Sequence, residues 1–171
     1  LGNIAGELDR GILERVVAPL EHMLRNAVDH GIESAEQRRE RGKPATGHIR
    51  IEVAREGGDV LIVVADDGGG VDLAAVRAKA VERGLMEPDA ELGDHEIMQF
   101  ILASGFSTAA AVTQISGRGV GMDVVSSEIR QMGGSLDIHS EPGQGTRFVV
   151  RLPFTVSVSR ALLVTVGPEI Y

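Results

Sequence analysis

The sequence predicts an α+β fold, a two-layer α/β sandwich in which helices cover a mixed, mainly antiparallel sheet. Three observations carry this. Two pairs of strand-like stretches, 48–55 with 60–67 and 135–140 with 146–152, are each joined by a short glycine-containing turn, the pattern of a β-hairpin. Helical segments lie around them in the order helix, hairpin, helix, helix, long loop, helix, hairpin. The 171 residues, 43% hydrophobic and 25% charged, suffice for one domain with a real core.

Each element has a local reason. Residues 10–17 have helical spacing through Ile12, Leu13 and Val16. Pro19 opens a second helix, since its fixed φ suits a first turn. That helix runs to about His30, and Gly31 stops it. The charged stretch ESAEQRRERGK, 33–43, reads as a short solvated helix or loop. Ile49, Ile51 and Val53 alternate with polar neighbours, and EGGD at 56–59 turns the chain into VLIVVADD. Asp72 caps a helix that ends at Gly84. Residues 94–103 form another, and 104–121 are too long for a simple connector. A helix over 122–132 stops at Gly133 and Gly134, and EPGQG joins the last two strands.

Composition narrows the function classes. A net charge of −8 argues against nonspecific nucleic-acid binding and against an anionic membrane surface. The absence of cysteine excludes disulfides and thiolate metal sites. There is no signal peptide and no apolar run long enough to cross a bilayer. The expectation is a cytoplasmic chain without direct membrane contact, cut from a longer protein.

Four short motifs carry chemistry. In PLEHMLRNAVDH, 19–30, Leu20, Met23, Leu24 and Ala27 share one helix face, and His22, Asn26, Asp29 and His30 share the other. That polar face is either solvated surface or a wall facing a ligand. In the second case Asn26 offers its amide oxygen to a hard cation such as Mg²⁺. ADDGGG, 65–70, is an acidic turn, or it exposes Asp66 to an exocyclic amine such as adenine's while its glycines let a base lie flat. GQGT, 143–146, is a hairpin turn whose Thr146 can face inward. Phe106 in GFST is a core residue or an anchor for the long loop. GRGVGMDVV, 117–125, sets glycines at alternate positions before a helix N-terminus, which suits a phosphate.

In this order, the motifs resemble the boxes of the GHKL ATP-binding fold shared by histidine kinases, Hsp90, DNA gyrase and MutL. HMLRNAVDHG is similar to the N box, DDGGG, GRGVG and GQGT to three glycine boxes, and GFST to the lid's phenylalanine box. HMLRNAVDHGIE, GFSTAAAVTQISGRGVGMDVV and GTRFVVRLPFT more narrowly resemble the catalytic domain of CheA-type chemotaxis histidine kinases. The wording of LPFT and ELDR…PLEH is similar to the hybrid kinases of type IV pilus chemosensory systems.

The resemblance implies a set of roles. Residues 1–10 would leave a dimerisation domain, 11–155 would be the ATP-binding catalytic domain, and 156–171 would be a linker and the first strand of a CheW-like regulatory domain. Asn26 would hold Mg²⁺ on the ATP phosphates. Asp66 would recognise adenine, with Gly68 and Gly70 shaping the pocket and Thr146 supporting it. Gly117, Arg118, Gly119, Val120, Gly121 and Met122 would cover the triphosphate as part of a mobile lid, with Phe106 and Ser107 at its other end. Arg25, Asp29 and His30 would contact nucleotide or phosphate. His22 stands where gyrase-like ATPases place a catalytic glutamate, which implies a kinase rather than an ATPase with an activated water. None of His22, His30, His48, His95 or His139 reads as the phosphoacceptor, so the acceptor would lie on a separate phosphotransfer domain. A response regulator would follow, with a CheW-like coupling protein and a chemoreceptor engaged through other domains. The piece itself would be a monomer and the full protein a homodimer. Two other readings stand beside this one: a gyrase- or MutL-type ATPase, and a degenerate docking module.

Overall fold

A computed structural model describes residues 10–106, 121–153, 165–166 and 169–170. The first helix, α1 (Arg10–Asn26), runs unbroken through Pro19, so the expected second helix does not start there. Proline removes one hydrogen bond, and its φ is itself helical. The helix tolerates this because Val16, Pro19 and Met23 are buried together along its inner face. Each such burial stabilises by about 1.5–3 kcal/mol, against about 3 kcal/mol for an interior proline.

After Asn26 the helix widens into a π-helical turn, Ala27–Gly31, closed by the Ile32 N–H donating to the Ala27 carbonyl at 2.8 Å. Helix α2 (Ala35–Glu40) begins with a reciprocal cap. The Ser34 hydroxyl accepts from Gln37 N, and Gln37 Oε1 accepts from Ser34 N. Strands β1 (Ile49–Glu56) and β2 (Asp59–Asp66) form the first hairpin around Gly57 and Gly58. Helix α3 (Leu73–Glu82) is capped by Asp72, as expected. Helix α4 (Asp94–Gln99) tightens into a 3-10 turn, Phe100–Leu102, so the expected helix over 94–103 is shorter. Helix α5 (Met122–Gln131) precedes the second hairpin, β3 (Ser135–Glu141) and β4 (Gly145–Pro153). Two-residue strands β5 (Thr165–Val166) and β6 (Glu169–Ile170) pair with each other.

The four-stranded sheet has the order β1-β2-β4-β3. Its pairs are all antiparallel, with no parallel pair among the described residues. On its inner face Val60, Ile62 and Val64 of β2 stand opposite Leu152, Val150 and Phe148 of β4. These pack with Met23 of α1, with Val125 and Ile129 of α5 and with Met132 just after it in one core. A second cluster joins Val76, Ala80, Met86, Ile97 and Phe106. Docking one hairpin on the other brings the end of β2, Asp66, beside the start of β4, Thr146.

Candidate functional site

Asp66 ends β2 with its carboxylate half-buried. Its Oδ1 accepts from Gly68 N at 2.9 Å and from Thr146 N at 3.3 Å. Burial pushes its pKa above the ordinary aspartate value, the two N–H bonds pull the other way, and nearby Asp67 and Glu33 push it up again. The Thr146 side chain is buried, with its hydroxyl 3.2 Å from that of Ser140.

The glycines after Asp66 also have a packing role. A Cβ on Gly68 would lie 1.9 Å from the Gly31 carbonyl oxygen, and one on Gly70 would lie 2.5 Å from the Glu141 carbonyl oxygen at a φ of +76°. They let the Asp66 turn press against the π-turn and the second hairpin, so the pocket is shaped by backbone meeting backbone.

The opposite wall is the seam between α1 and α5. Asn26, the last residue of α1, donates from Nδ2 to the Met122 sulfur at 3.0 Å. A thioether only accepts, so the amide turns its NH₂ toward Met122 and keeps Oδ1 as its remaining acceptor. One turn earlier, His22 is partly buried. Burial and then Arg25 hold its imidazole below the ordinary histidine pKa, while Glu128 and Asp123 of α5 oppose them. Neutral imidazole is therefore the form present at pH 7.

Between these walls lies a cavity of about 310 Å³. Asn26, His30, Asp66, Gly70, Met122 and Thr146 all line it. These six come from α1, the π-turn, β2 and the loop after it, α5 and β4, whereas His22 and Gly68 lie outside the lining. Asp29 lines a wider adjoining groove of about 1070 Å³, which shares His30, Gly31 and Gly70 with the cavity. Arg25 is exposed on α1, and Gly121 is partly exposed just before α5. Phe106 lies in the second core cluster beneath Lys79 and Arg83, away from the cavity lining. The Gly105 N–H donates to Asp123 Oδ2 at 2.8 Å, joining the end of this segment to the first turn of α5. Ser107, Gly117, Arg118, Gly119 and Val120, with the lid they were expected to form, lie outside the described residues. His48, His95 and His139 are exposed, as expected.

The charged stretch 33–43, expected to be solvated, holds a buried ionic network. Arg38 is 1% exposed, not solvated. Its Nε donates to the Pro44 carbonyl, its Nη1 to Glu33 Oε2 and the Asp67 carbonyl, and its Nη2 to Asp67 Oδ2. Lys43 Nζ donates to Glu33 Oε1 and to the carbonyls of Asp67 and Gly68. Burial raises the pKa of Glu33 and Asp67, and their hydrogen bonds and cationic neighbours more than reverse this, leaving both below the ordinary range. A capped helix starting at Ser34 was the one signal that side chains here have fixed directions.

Among the described residues no group of three or more His, Cys, Asp or Glu could hold a metal ion. The donor set does suit a cation brought by a ligand: the Asn26 amide oxygen is a hard donor, oriented by Met122, in a cavity whose walls are otherwise largely apolar. No helix among the described residues is long and apolar enough to cross a membrane.

Residues 16–156 match the family described as Histidine kinase-, DNA gyrase B-, and HSP90-like ATPase. The chain is 46% identical over 96% of its length to the chemotaxis protein CheA of Treponema pallidum, and 47% identical over 95% to that of Cereibacter sphaeroides. It is 44% identical over 96% to the sensor histidine kinase CheAY of Helicobacter pylori. It spans 20%, 24% and 21% of the length of these three curated relatives. A solved blue-light activated histidine kinase from Erythrobacter litoralis superposes over 86% of this chain and 32% of its own, at 14% identity and a TM-score of 0.49, too loosely to add to the assignment. With the family profile covering most of the chain and the acidic and amide walls facing one cavity, this protein belongs to the histidine kinase-, DNA gyrase B- and HSP90-like ATPase family.

Proposed function

We propose that this chain is the ATP-binding catalytic domain of a CheA-type chemotaxis histidine kinase. It binds Mg-ATP and passes the γ-phosphoryl group to a histidine on a separate phosphotransfer domain, for onward transfer to a response regulator. The observation that carries the reading is the single cavity with Asp66 and Thr146 on one wall and Asn26 and Met122 on the other. Asp66 accepts a hydrogen bond from the adenine amino group, and Asn26 would supply the amide oxygen that holds Mg²⁺. When bound, Mg²⁺ neutralises charge on the transferring phosphoryl group. In the step itself the bond from the γ-phosphorus to its bridging oxygen breaks, a bond to a histidine nitrogen forms, and ADP leaves. This needs positioning more than covalent help from the protein.

His22, held neutral one turn before Asn26, receives a proton from the incoming histidine or orients it. A histidine here is a poor activator of water beside the glutamate of gyrase-like ATPases, which favours transfer over hydrolysis. The longer protein is a cytoplasmic homodimer that engages a CheW-like coupling protein and a chemoreceptor through its other domains.

Titration calorimetry with ATP, with and without Mg²⁺, tests the reading. Binding should weaken in both Asn26→Ala and Asp66→Asn, with the Mg²⁺ dependence lost only in the first. A phosphotransfer domain added in trans should then be labelled by γ-labelled ATP, while the chain alone should not label itself. Steady ATP turnover without an acceptor would instead favour the gyrase-type reading. No nucleotide binding would favour a docking module.

A further inference from the structure

We infer that Arg38 and Lys43 are positioning residues for recognition of the 6-amino group of the purine base, acting on Asp66 through one peptide unit. This rests on the ATP reading above.

The peptide that joins Asp67 to Gly68 has two ends. Its carbonyl oxygen accepts from Arg38 Nη1 at 3.0 Å and from Lys43 Nζ at 3.0 Å. Its N–H donates to Asp66 Oδ1 at 2.9 Å. Two cations thus hold one end of a rigid planar unit whose other end holds the carboxylate of the cavity wall. Cations on the carbonyl also polarise the unit, which makes its N–H a stronger donor to Asp66.

The neighbouring contacts remove the remaining freedom. Lys43 holds the next carbonyl, Gly68, at 2.7 Å, and the Gly69 N–H donates to the Gly31 carbonyl at 2.9 Å. Arg38 also holds the Asp67 carboxylate, whose Oδ1 accepts from His48 N at 2.8 Å, so of these two neighbouring carboxylates only Asp66 lines the cavity. Glu33 balances the charge by accepting from Arg38, Arg41 and Lys43. Arg38 is too buried to touch a ligand. Its effect on binding must travel through the turn.

Ligand discrimination separates this role from a purely structural one. The probes are ATP and purine riboside triphosphate, which carries hydrogen in place of the 6-amino group. Arg38→Met and Lys43→Met should each weaken ATP binding about tenfold. Both should leave the affinity for purine riboside triphosphate within about twofold, so the preference for the amino group collapses. Adding Lys43→Met to Asp66→Asn should change ATP affinity less than about twofold, because both act on one contact. Equal losses for the two nucleotides would overturn the inference, since a damaged fold or a direct Lys43–phosphate contact gives that result. An unchanged preference would overturn it too. Should Arg38→Met fail to fold, Lys43→Met, whose side chain is partly exposed, decides the matter. A parent chain that binds neither nucleotide would overturn the ATP reading itself. A parent that binds both equally would overturn only the role of Asp66 and of the residues behind it.

Discussion

The two ends of the cavity are built by opposite means. At the β2 end, Asp66 is fixed by two backbone N–H groups, by the peptide unit clamped from Arg38 and Lys43, and by glycines pressed against neighbouring backbone. At the α1–α5 end, Asn26 makes a soft hydrogen bond to the Met122 sulfur, and His22, one turn earlier and outside the cavity lining, is kept neutral mainly by burial. The first end is pre-organised at the expense of a carboxylate kept above its ordinary pKa. The second leaves the Asn26 amide oxygen for the ligand to complete, with the neutral His22 imidazole one turn behind it. Under the proposed function, a site that holds one base yet passes on a phosphoryl group is served by this asymmetry.

Substitutions at each end break or sharpen the contrast. The largest effect belongs to Gly68→Ala, whose Cβ meets backbone at 1.9 Å. It should lower unfolding free energy by about 3 kcal/mol, read as a fall of roughly 10 °C in Tm. Asn26→Ala should do the reverse, leaving Tm almost unchanged while phosphotransfer to the acceptor domain drops about 100-fold or more.

Asp66→Asn keeps an acceptor for both N–H groups, yet should weaken ATP binding about thirtyfold. It should not lower Tm at pH 7. The sign follows from the raised pKa: the folded state holds its proton more tightly than the unfolded chain, so Asp66 makes folding less favourable as pH rises from the ordinary aspartate range through its elevated value. Thermal melts of both proteins across that window should show the gap opening with pH. ATP affinity of the parent should fall as pH drops through the same window, because the neutral acid donates where the adenine amine needs an acceptor.

His22 has the opposite linkage. Its pKa is depressed, so the folded state favours the neutral ring, and the associated stability is lost as pH falls below the ordinary histidine value. Arg25→Ala should raise the His22 titration midpoint, followed through its ring protons by NMR. The smallest effect is expected for Met122→Leu, which keeps the core volume and removes the sulfur acceptor. Stability should change by less than about 1.5 kcal/mol. Affinity for Mg-ATP should fall only about threefold, with base binding in the absence of Mg²⁺ unaltered.

Much of this was legible in the residues. The alternation of Ile49, Ile51 and Val53 around a Gly-Gly turn specifies a hairpin locally, and Asp72 and Gly84 bracket a helix by rules that operate over a few residues. Asn26 stood out as a residue of poor propensity on a helix expected to run on to His30, and Asp66 as a carboxylate set between an apolar strand and three glycines. Pro19 misled because propensity was read without the burial that overrides it. Arg38 was missed because a buried guanidinium and a solvated one look alike in a run of charges. Only the fold shows that its partners, Glu33 and the Asp67 carbonyl, come from either side of the first hairpin. The reason for Gly68 was equally hidden, since it depends on a backbone oxygen 37 positions away in the chain, at Gly31.

The π-turn at Ala27–Gly31 bears on how the protein can change over generations. A π-turn is an α-helix carrying one surplus residue, closed here between Ile32 and Ala27. Losing a single codon within it would relax the stretch to ordinary helix and rotate everything downstream by about 100°. His30 would leave the cavity, and the Gly31 carbonyl that receives Gly69 would point elsewhere. Point mutations can drift through this segment, but its length is under a separate and much stricter constraint, so insertions and deletions should be purged here even where substitutions are tolerated.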